Sequence, residues 1–391
     1  MYKGKRTTFR LLNYSIDKLD EVNKLSAEIW NDVVKLADDH RLSTGKWISK
    51  TELQRLTKNK YPYHSQSVQA IVHRYVNSRE AAKKAKKVNS KLRYPYKLKT
   101  FQATRWVDKA FSLDGNVLSL SLGTRRKPIL LEVHNLPQGE IKVVELIYDM
   151  GYKLSFLYDD LQVKKINSYT NKAAVDPGEI HSIASTCTNG NQILISTREL
   201  RSVKQYRNKS LKKLTQMQKL CKSGSKRHKK LQKVKDYILS RSNNQILDML
   251  HKTTEQYVNW CVVNTVSTVY LGDVEGVQRN TSGKRGKTKK TKNKVTSQKL
   301  SQWSFGQIKK YLAYKLEAEG ILLKLVDESY SSQTCPSCGI RRKVKGRTYK
   351  CKCGYEAHRD LHGSSNILSK QLYGRFEVIP TNELTYRRPK K

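Results

Sequence analysis

Long apolar segments are missing from this sequence of 391 residues. No run approaches the roughly 20 apolar residues that a membrane-spanning helix needs. The opening residues, MYKGKRTTFRLLNYS, lack the apolar centre of a secretory signal peptide. We therefore expect a cytoplasmic protein that has no membrane partner.

Acidic residues are also scarce. The chain has 33 Asp and Glu against 77 Lys and Arg, which gives a formal net charge of +44. A compact protein with this charge repels itself, so a polyanionic partner is expected to neutralise it. The 22 Tyr against 6 Phe supply aromatic faces that tolerate water. This combination favours nucleic acid over an acidic protein as the partner.

Cysteines are few, and they are not spread as a disulfide framework would be. Of the seven, four lie between positions 335 and 353, in the pattern CPSC, twelve residues, CKC. Two short knuckles of this kind can surround one Zn²⁺ with four thiolates, which leaves no position for water and makes the site structural. The predicted zinc ligands are Cys335, Cys338, Cys351 and Cys353. Reduced thiols without a metal are the alternative.

The pattern of the chain indicates a mixed α+β protein of two or three domains. An opening strand is followed by apolar residues at helical spacing over about 15–40 and 64–88. Short β-like runs between 100 and 165 are typical of a small barrel or sandwich. Three strands over 173–196, a basic helical pair over 198–262 and two further buried strands then predict a second domain. Residues 284–294 hold seven basic residues in eleven and predict a mobile loop.

Two aspartates stand where metal-binding acids belong. Asp176 ends the strand AAVD before a Pro-Gly turn, and Asp360 lies at the start of a helix with small residues at 363–365. Two such carboxylates sharing a pair of Mg²⁺ ions would build a phosphodiester hydrolysis site. Turns and helix caps use Asp routinely, so each residue alone is weak support.

The ordered set of motifs resembles the TnpB family, transposon-encoded relatives of the type V CRISPR effectors. The resemblance rests on VDPG (175–178), YLGDVEG (270–276), DESYSSQTCPSCG (327–339), YKCKCGYEAHRD (349–360) and HGSSNIL (362–368). It implies a prokaryotic, nucleoid-associated, monomeric RNA-guided DNA endonuclease with a RuvC domain of RNase H-like fold. Its partners would be a guide RNA from the transposon end and target double-stranded DNA.

The resemblance also implies a domain order, with a zinc ribbon inserted into RuvC. The expected segments are a wedge strand (1–13), a helical recognition domain (14–91), a wedge β-barrel (92–168), the RuvC-like domain (169–332 and 357–373), the zinc ribbon (333–356) and a basic disordered tail (374–391).

The third acid of the nuclease site departs from the family pattern. Asp176 matches the first acid and Asp360 the last, but the usual glutamate position holds Gly272. Glu328 follows the neighbouring strand, and adjacent strands are about 4.8 Å apart, so its carboxylate could reach the same Mg²⁺ or Mn²⁺ ions. The alternatives, which have equal weight, are Asp273 or Glu275 as the third acid and a site that does not cleave.

A predicted helix near 63–78 resembles the family's recognition helix for the short target-adjacent motif. Tyr63, Ser65, Gln66 and Gln69 can hydrogen-bond base edges, although an outer polar helix face would show the same residues. The basic stretch 83–97 fits phosphate contacts to RNA or a heteroduplex. Its candidate contacts are Lys83, Lys84, Lys86, Lys87 and Arg93.

Two other functions compete with an RNA-guided endonuclease. A repressor that binds DNA through guide RNA without cutting differs in sequence only by the fate of the third acid. A zinc-ribbon transposase accessory protein that works without RNA explains the charge and the cysteines, but leaves the strand-end aspartates without a role.

Overall fold

The structure, a computed structural model, describes residues 2–161, 165–274, 294–344 and 346–389. The chain divides into two compact units, Met1–Val163 and Lys164–Lys391. None of the helices over the described ranges is long and apolar enough to cross a membrane. Glu275 and residues 284–293 of the basic segment lie outside the described residues.

Unit 1 is built on two four-stranded antiparallel sheets, with strand orders β1-β8-β7-β3 and β2-β6-β5-β4. Their inward residues, among them Trp106, Leu118 and Phe156, belong to one buried cluster. No ladder joins the two sheets within the described residues, so closure into a barrel stays a prediction. The strands are β1 (Tyr2–Thr7), β2 (Arg10–Leu11), β3 (Thr104–Val107), β4 (Phe111–Asp114), β5 (Val117–Leu120), β6 (Ile129–Glu132), β7 (Glu140–Tyr148) and β8 (Tyr152–Asp159).

Three helices, α1 (Ile16–Thr44), α2 (Lys50–Thr57) and α3 (Ser65–Val88), interrupt unit 1 between β2 and β3. The apolar stripe of α1 faces inward, and the helix ends at Gly45, whose φ of 70° suits a residue without a side chain. The helix α2 begins where the side chain of Ser49 accepts a hydrogen bond from the amide of Glu52. The sequence pattern had indicated α1 and α3 but not the short α2.

Unit 2 is centred on a six-stranded mixed sheet with the order β13-β12-β9-β10-β11-β16. The strands β9, β12 and β13 are parallel, whereas β10 is antiparallel to both of its neighbours. All seven residues of β10 are buried. These strands are β9 (Asn171–Asp176), β10 (His181–Cys187), β11 (Gln192–Ser196), β12 (Val266–Gly272), β13 (Leu322–Val326) and β16 (Leu384–Arg387), and β14 (Thr348–Lys350) pairs with β15 (Glu356–His358).

Five helices complete the described part of unit 2. Arg207 donates to Asn243 and Gln218 donates to Gln232, which shows that the long helices α4 and α5 run antiparallel. The helix α8 lies on the sheet, where the hydroxyls of Ser364 and Ser365 meet that of Thr186 at 2.8 and 3.0 Å. The helices are α4 (Arg198–Lys219), α5 (Lys226–Val263), α6 (Lys294–Ser301), α7 (Phe305–Ala318) and α8 (Arg359–Tyr373).

The structure contradicts part of the prediction that residues 374–391 are a basic disordered tail. Residues Leu384–Arg387 form β16, which adds in parallel to the edge of the sheet beside β11. Just before the strand, the amide of Gln192 donates to the carbonyl of Glu383 at 2.8 Å, and Asn382 donates to the carbonyl of Asn189 at 2.6 Å. An edge strand is held through its backbone, so a charged and polar composition does not prevent it from forming.

Candidate functional site

Asp176 is the last residue of β9, and the turn behind it is fixed by two hydrogen bonds. The amide of Gly178 donates to the carbonyl of His181 at 2.9 Å, and the indole of Trp303 donates to the carbonyl of Gly178 at 3.1 Å. The parallel strands β9, β12 and β13 end at the same edge of the sheet. Acids that follow these strands are therefore brought close together.

Asp360 reaches the same edge from the first turn of α8. The helix approaches β9 so closely that a Cβ added to Gly363 would lie 2.1 Å from Oδ2 of Asp176. Small residues at 363–365 therefore allow the contact that the sequence suggested. The two aspartates interact electrostatically across this helix–sheet contact.

Glu328 lies over the end of β12. A Cβ added to Gly272 would lie 2.6 Å from Oε2 of Glu328 and 3.3 Å from its Cβ. The side chain of Glu328 therefore fills the space into which a side chain at position 272 would point. Its Oε2 atom is buried and has no hydrogen-bond partner. A buried oxygen of this kind is available to bind a cation.

The neighbouring acids differ from Glu328 in their surroundings. Lys370 donates to Asp327 at 2.8 Å, and this bond, followed by those from Ser329, lowers the pKa of Asp327 to about 2. Asp273 is exposed, and its amide donates to the carbonyl of Val326 at 2.8 Å. Of these three acids, Glu328 has the partly buried carboxylate.

The surroundings of Asp176 and Glu328 oppose the ionisation of both carboxyl groups. Burial, followed by the charges of Glu328 and Asp360, raises the pKa of Asp176 to about 8. Burial, followed by the charges of Asp273 and Asp327, raises the pKa of Glu328 to about 7. A divalent cation would favour the ionised form of both groups, because it supplies the missing opposite charge. Carboxylate oxygens are the ligands that Mg²⁺ and Mn²⁺ prefer.

The pKa of Asp360 shifts in the opposite direction, because its carboxylate is hydrogen-bonded to a histidine. Burial opposes its ionisation, but a hydrogen bond with His181 and the charges of His181, His358 and Arg359 outweigh burial and lower the pKa of Asp360. Nδ1 of His181 lies 2.7 Å from Oδ2 of Asp360. His181 was not predicted as a site residue, because nothing in the sequence around it marks this strand residue as a partner of Asp360.

Two groups of side chains in the described ranges bring their ligand atoms within 4.8 Å of one another, the four cysteines and the set of His181, His358 and Asp360. The carboxylates of Asp176, Glu328 and Asp360 do not form so tight a group, so at least one pair of their oxygens is farther apart.

The four cysteines form two thiol pairs. The sulfurs of Cys335 and Cys353 are 3.6 Å apart, and those of Cys338 and Cys351 are 3.5 Å apart. A disulfide would need about 2.05 Å, whereas four sulfurs at about 2.3 Å from one Zn²⁺ are about 3.8 Å from each other. The geometry fits a tetrahedral zinc site, and the four cysteines could hold one zinc ion. His358, which is close in sequence, lies in the other group.

The cysteine cluster is attached to α8 by polar and stacking contacts. The ring of His362 stacks on that of Tyr349 with centroids 3.9 Å apart. Asn366 donates to the carbonyls of Ser331 and Thr334 at 2.7 and 2.8 Å. These contacts hold the segment that carries Glu328 against the helix that carries Asp360.

The four residues predicted to contact base edges differ in their exposure to solvent. Ser65 is exposed and Gln66 and Gln69 are half-buried, so all three can contact a ligand. Tyr63 was wrong as a base-contacting residue, because it is only 8% exposed and belongs to the core of unit 1. It precedes α3, so the helical spacing that suggested an outer position does not apply to it.

The basic stretch after α3 is largely open to solvent. Lys83, Lys84, Lys87 and Arg93 are exposed. Lys86 instead donates to the carbonyls of Leu92 and Ser90 at 2.6 and 3.2 Å, which ties the end of α3 to the following segment. The ammonium group of Lys86 is thus engaged within the chain, which corrects its prediction as a phosphate contact.

Two family models match parts of the sequence. The model described as "Probable transposase" matches residues 155–278, and the one described as "Cas12f1-like, TNB domain" matches residues 305–367.

Curated relatives match shorter stretches. A TnpB-like protein of Methanocaldococcus jannaschii is 24% identical over 39% of this chain and 52% of its own length. The Cas12f1 endodeoxyribonuclease of Sulfoacidibacillus thermotolerans is 32% identical over 19% of this chain and 18% of its own length. A TnpB-like protein of Acanthamoeba polyphaga mimivirus is 25% identical over 59% of this chain and 44% of its own length. The matched regions thus span about half or less of these relatives.

Solved structures extend the likeness of fold to most of the chain. A Cas12f1–sgRNA–target DNA complex aligns over 90% of this chain and 82% of that one, with a TM-score of 0.61 and 14% identity. The Cas12j protein CasPhi-2, bound to crRNA and phosphorothioate-DNA, aligns over 98% of this chain and 93% of its own, with a TM-score of 0.54 and 11% identity. The motifs, the family models and the TnpB-like relatives agree in supporting a protein similar to the TnpB family.

Proposed function

We propose that this chain is an RNA-guided DNA endonuclease that cleaves double-stranded DNA beside a short target-adjacent motif and supports maintenance of its transposon. Similarity to the TnpB family supports a nuclease guided by RNA, and the net charge of +44 supports a polyanionic partner. The guide would come from the transposon end, and the protein would act as a monomer.

The nuclease domain in this proposal is RuvC-like and comprises residues 169–332 and 357–373, with a zinc ribbon at 333–356. The strand order β13-β12-β9-β10-β11, in which β10 alone is antiparallel to its neighbours, supports an RNase H-like fold. Residues 14–91 would be the recognition domain, and residues 1–13 and 92–168 the wedge.

One observation carries the proposal of an active site, namely the carboxylate of Glu328 over Gly272. Asp176, Glu328 and Asp360 would hold two Mg²⁺ or Mn²⁺ ions, which would supply a nucleophilic water and stabilise charge on the phosphate. The chain's own part is to gather the three acids at one sheet edge and to keep two of them partly out of water. His181 holds one carboxylate oxygen of Asp360 in place.

The test begins with the protein purified from cells that also carry the flanking sequences of its own locus. Co-purified RNA is sequenced, and the complex is mixed with plasmid DNA that matches the guide, with Mg²⁺ and with an Asp176→Asn variant as control. Guided cleavage by the unmodified protein alone supports the proposal. Guided binding without cleavage would support a repressor, and DNA binding that survives RNase treatment with no RNA recovered would support an accessory protein that works without RNA.

A further inference from the structure

Two imidazole rings stand beside Asp360. His181 begins β10 and is 4% exposed, and His358 precedes the first residue of α8. One ligand atom from each of His181, His358 and Asp360 lies within 4.8 Å of the other two. The two rings are at 67° with centroids 5.3 Å apart. Two elements distant in sequence thus bring two nitrogens and one carboxylate to one point.

One polar atom of this group has no hydrogen-bond partner, and two others share a single proton. Nδ1 of His358 is buried and has no hydrogen-bond partner. Nδ1 of His181 and Oδ2 of Asp360 lie 2.7 Å apart, a separation that requires a proton or another cation between them. A buried polar atom without a partner costs free energy. A metal ion bound to this group would give His358 a partner and would replace the proton between His181 and Asp360.

The type of ligand decides which ion is suited to the group. Imidazole nitrogen binds Zn²⁺, Co²⁺ and other later first-row dications well, whereas Mg²⁺ prefers oxygen alone. Arg347 and Arg359 add positive charge close to these side chains. Charge alone therefore does not attract a cation here, and the two nitrogens provide the selectivity.

We propose that His181, His358 and Asp360 form a binding site for a transition-metal dication such as Zn²⁺, separate from the four-cysteine cluster. Asp360 also belongs to the proposed nuclease site. Occupation of the new site takes this carboxylate away from Mg²⁺, so micromolar Zn²⁺ inhibits cleavage. The inhibition rests on the proposed function, but the binding does not.

Co²⁺ is the probe for the binding test, which uses the full-length chain with its cysteine cluster filled by zinc. Binding of Co²⁺ and of Mg²⁺ is measured by equilibrium dialysis for the unmodified protein, His181→Gln and His358→Gln. Each variant is expected to bind Co²⁺ at least about tenfold more weakly at this site and to bind Mg²⁺ with little change. His134→Gln removes an exposed histidine far from the group in sequence and is the control.

Three further measurements make the outcome decisive. Asp176→Asn should keep Co²⁺ binding at this site even though the proposed nuclease is lost, which separates failure of this proposal from failure of the proposed function. Zinc content and melting temperature show whether each variant is folded, and His181→Asn replaces any variant that is not. Unchanged Co²⁺ binding in the folded histidine variants would overturn the proposal. An equal loss of Co²⁺ and Mg²⁺ would overturn it too, because His181 would then only position Asp360.

Discussion

Asp176 leaves no room for a side chain on residue 363, since a Cβ added to Gly363 would lie 2.1 Å from its Oδ2 atom. The helix that carries Asp360 can approach Asp176 only because this residue is glycine. The separation of the two proposed metal-binding acids therefore depends on the absence of one methyl group.

Gly363→Ala is expected to displace the Asp176 carboxylate or α8 and to reduce guided cleavage at least about tenfold, at a stability cost of about 1–3 kcal/mol from overpacking. Cleavage rates and melting temperatures test this. Gly306→Ala is the matched control, because a Cβ on that helical glycine meets nothing within 4 Å. It should keep its activity, and equal activity in both variants would contradict the account.

The cysteine cluster gives a second prediction. Cys335→Ser or Cys353→Ser should lose the bound zinc and unfold the segment locally, because structural zinc binding contributes folding free energy. Elemental analysis and limited proteolysis measure both effects. Cys221→Ser is the control, because Cys221 lies outside the cluster and its thiol donates to the carbonyl of Met217. Purified protein without zinc would remove the claim.

The exposed lysines at the end of α3 should contribute to nucleic-acid binding through charge. Substitution of Lys83, Lys84 and Lys87 by Ala should weaken binding to all sequences alike. It should also lower the slope of log K against log salt by about 2–3, since each phosphate contact contributes about 0.7–0.9. The control replaces three lysines that are already paired with acids, Lys18, Lys142 and Lys252. Equal slopes for the two triple variants would place the contacts elsewhere.

The raised pKa of Asp176 predicts how stability depends on pH when the carboxylates hold no metal. The folded state keeps this proton up to about pH 8, whereas the unfolded state releases it near 3.8. The unfolded state therefore binds fewer protons between these values, and stability falls as pH rises through them. Asp176→Asn should match the unmodified protein near pH 4 and be the more stable of the two proteins above pH 8. Urea unfolding at both pH values checks this, and an identical pH slope in the variant would contradict it.

Local signals in the sequence were sufficient to select the two aspartates and the cysteines as candidate site residues. A strand end before Pro-Gly, a helix start before small residues and paired knuckles each lie within a few residues. Glu328 needed one further step, the adjacency of two parallel strands, and the structure places its carboxylate at the expected strand end.

The remaining features depend on contacts between distant parts of the chain. His181 meets Asp360 across 179 positions, through an antiparallel strand and the placement of α8, and no spacing in the sequence encodes that meeting. Burial of Tyr63 likewise depends on the core of unit 1. The last strand, β16, forms by pairing with the backbone at the edge of β11. The basic composition of the tail gave no sequence signal for this strand.

We propose that Glu328 has taken the place of the glutamate absent at position 272. Glu328→Ala should abolish guided cleavage as completely as Asp176→Ala or Asp360→Ala, with guided DNA binding retained, because the loss affects the rate and not the affinity. Asp327→Ala is the control, because its carboxylate is bound to Lys370. Asp273→Ala should have a smaller effect than Glu328→Ala.

The most direct measurement is rescue of cleavage by a glutamate returned to β12. In the Glu328→Ala background the space above Gly272 is vacated, so Gly272→Glu can direct its carboxylate to the same edge of the sheet. This double variant is expected to regain cleavage of matched DNA well above the level of Glu328→Ala alone. Full activity in Glu328→Ala together with its loss in Asp273→Ala, or a double variant as inactive as the single one, would contradict it.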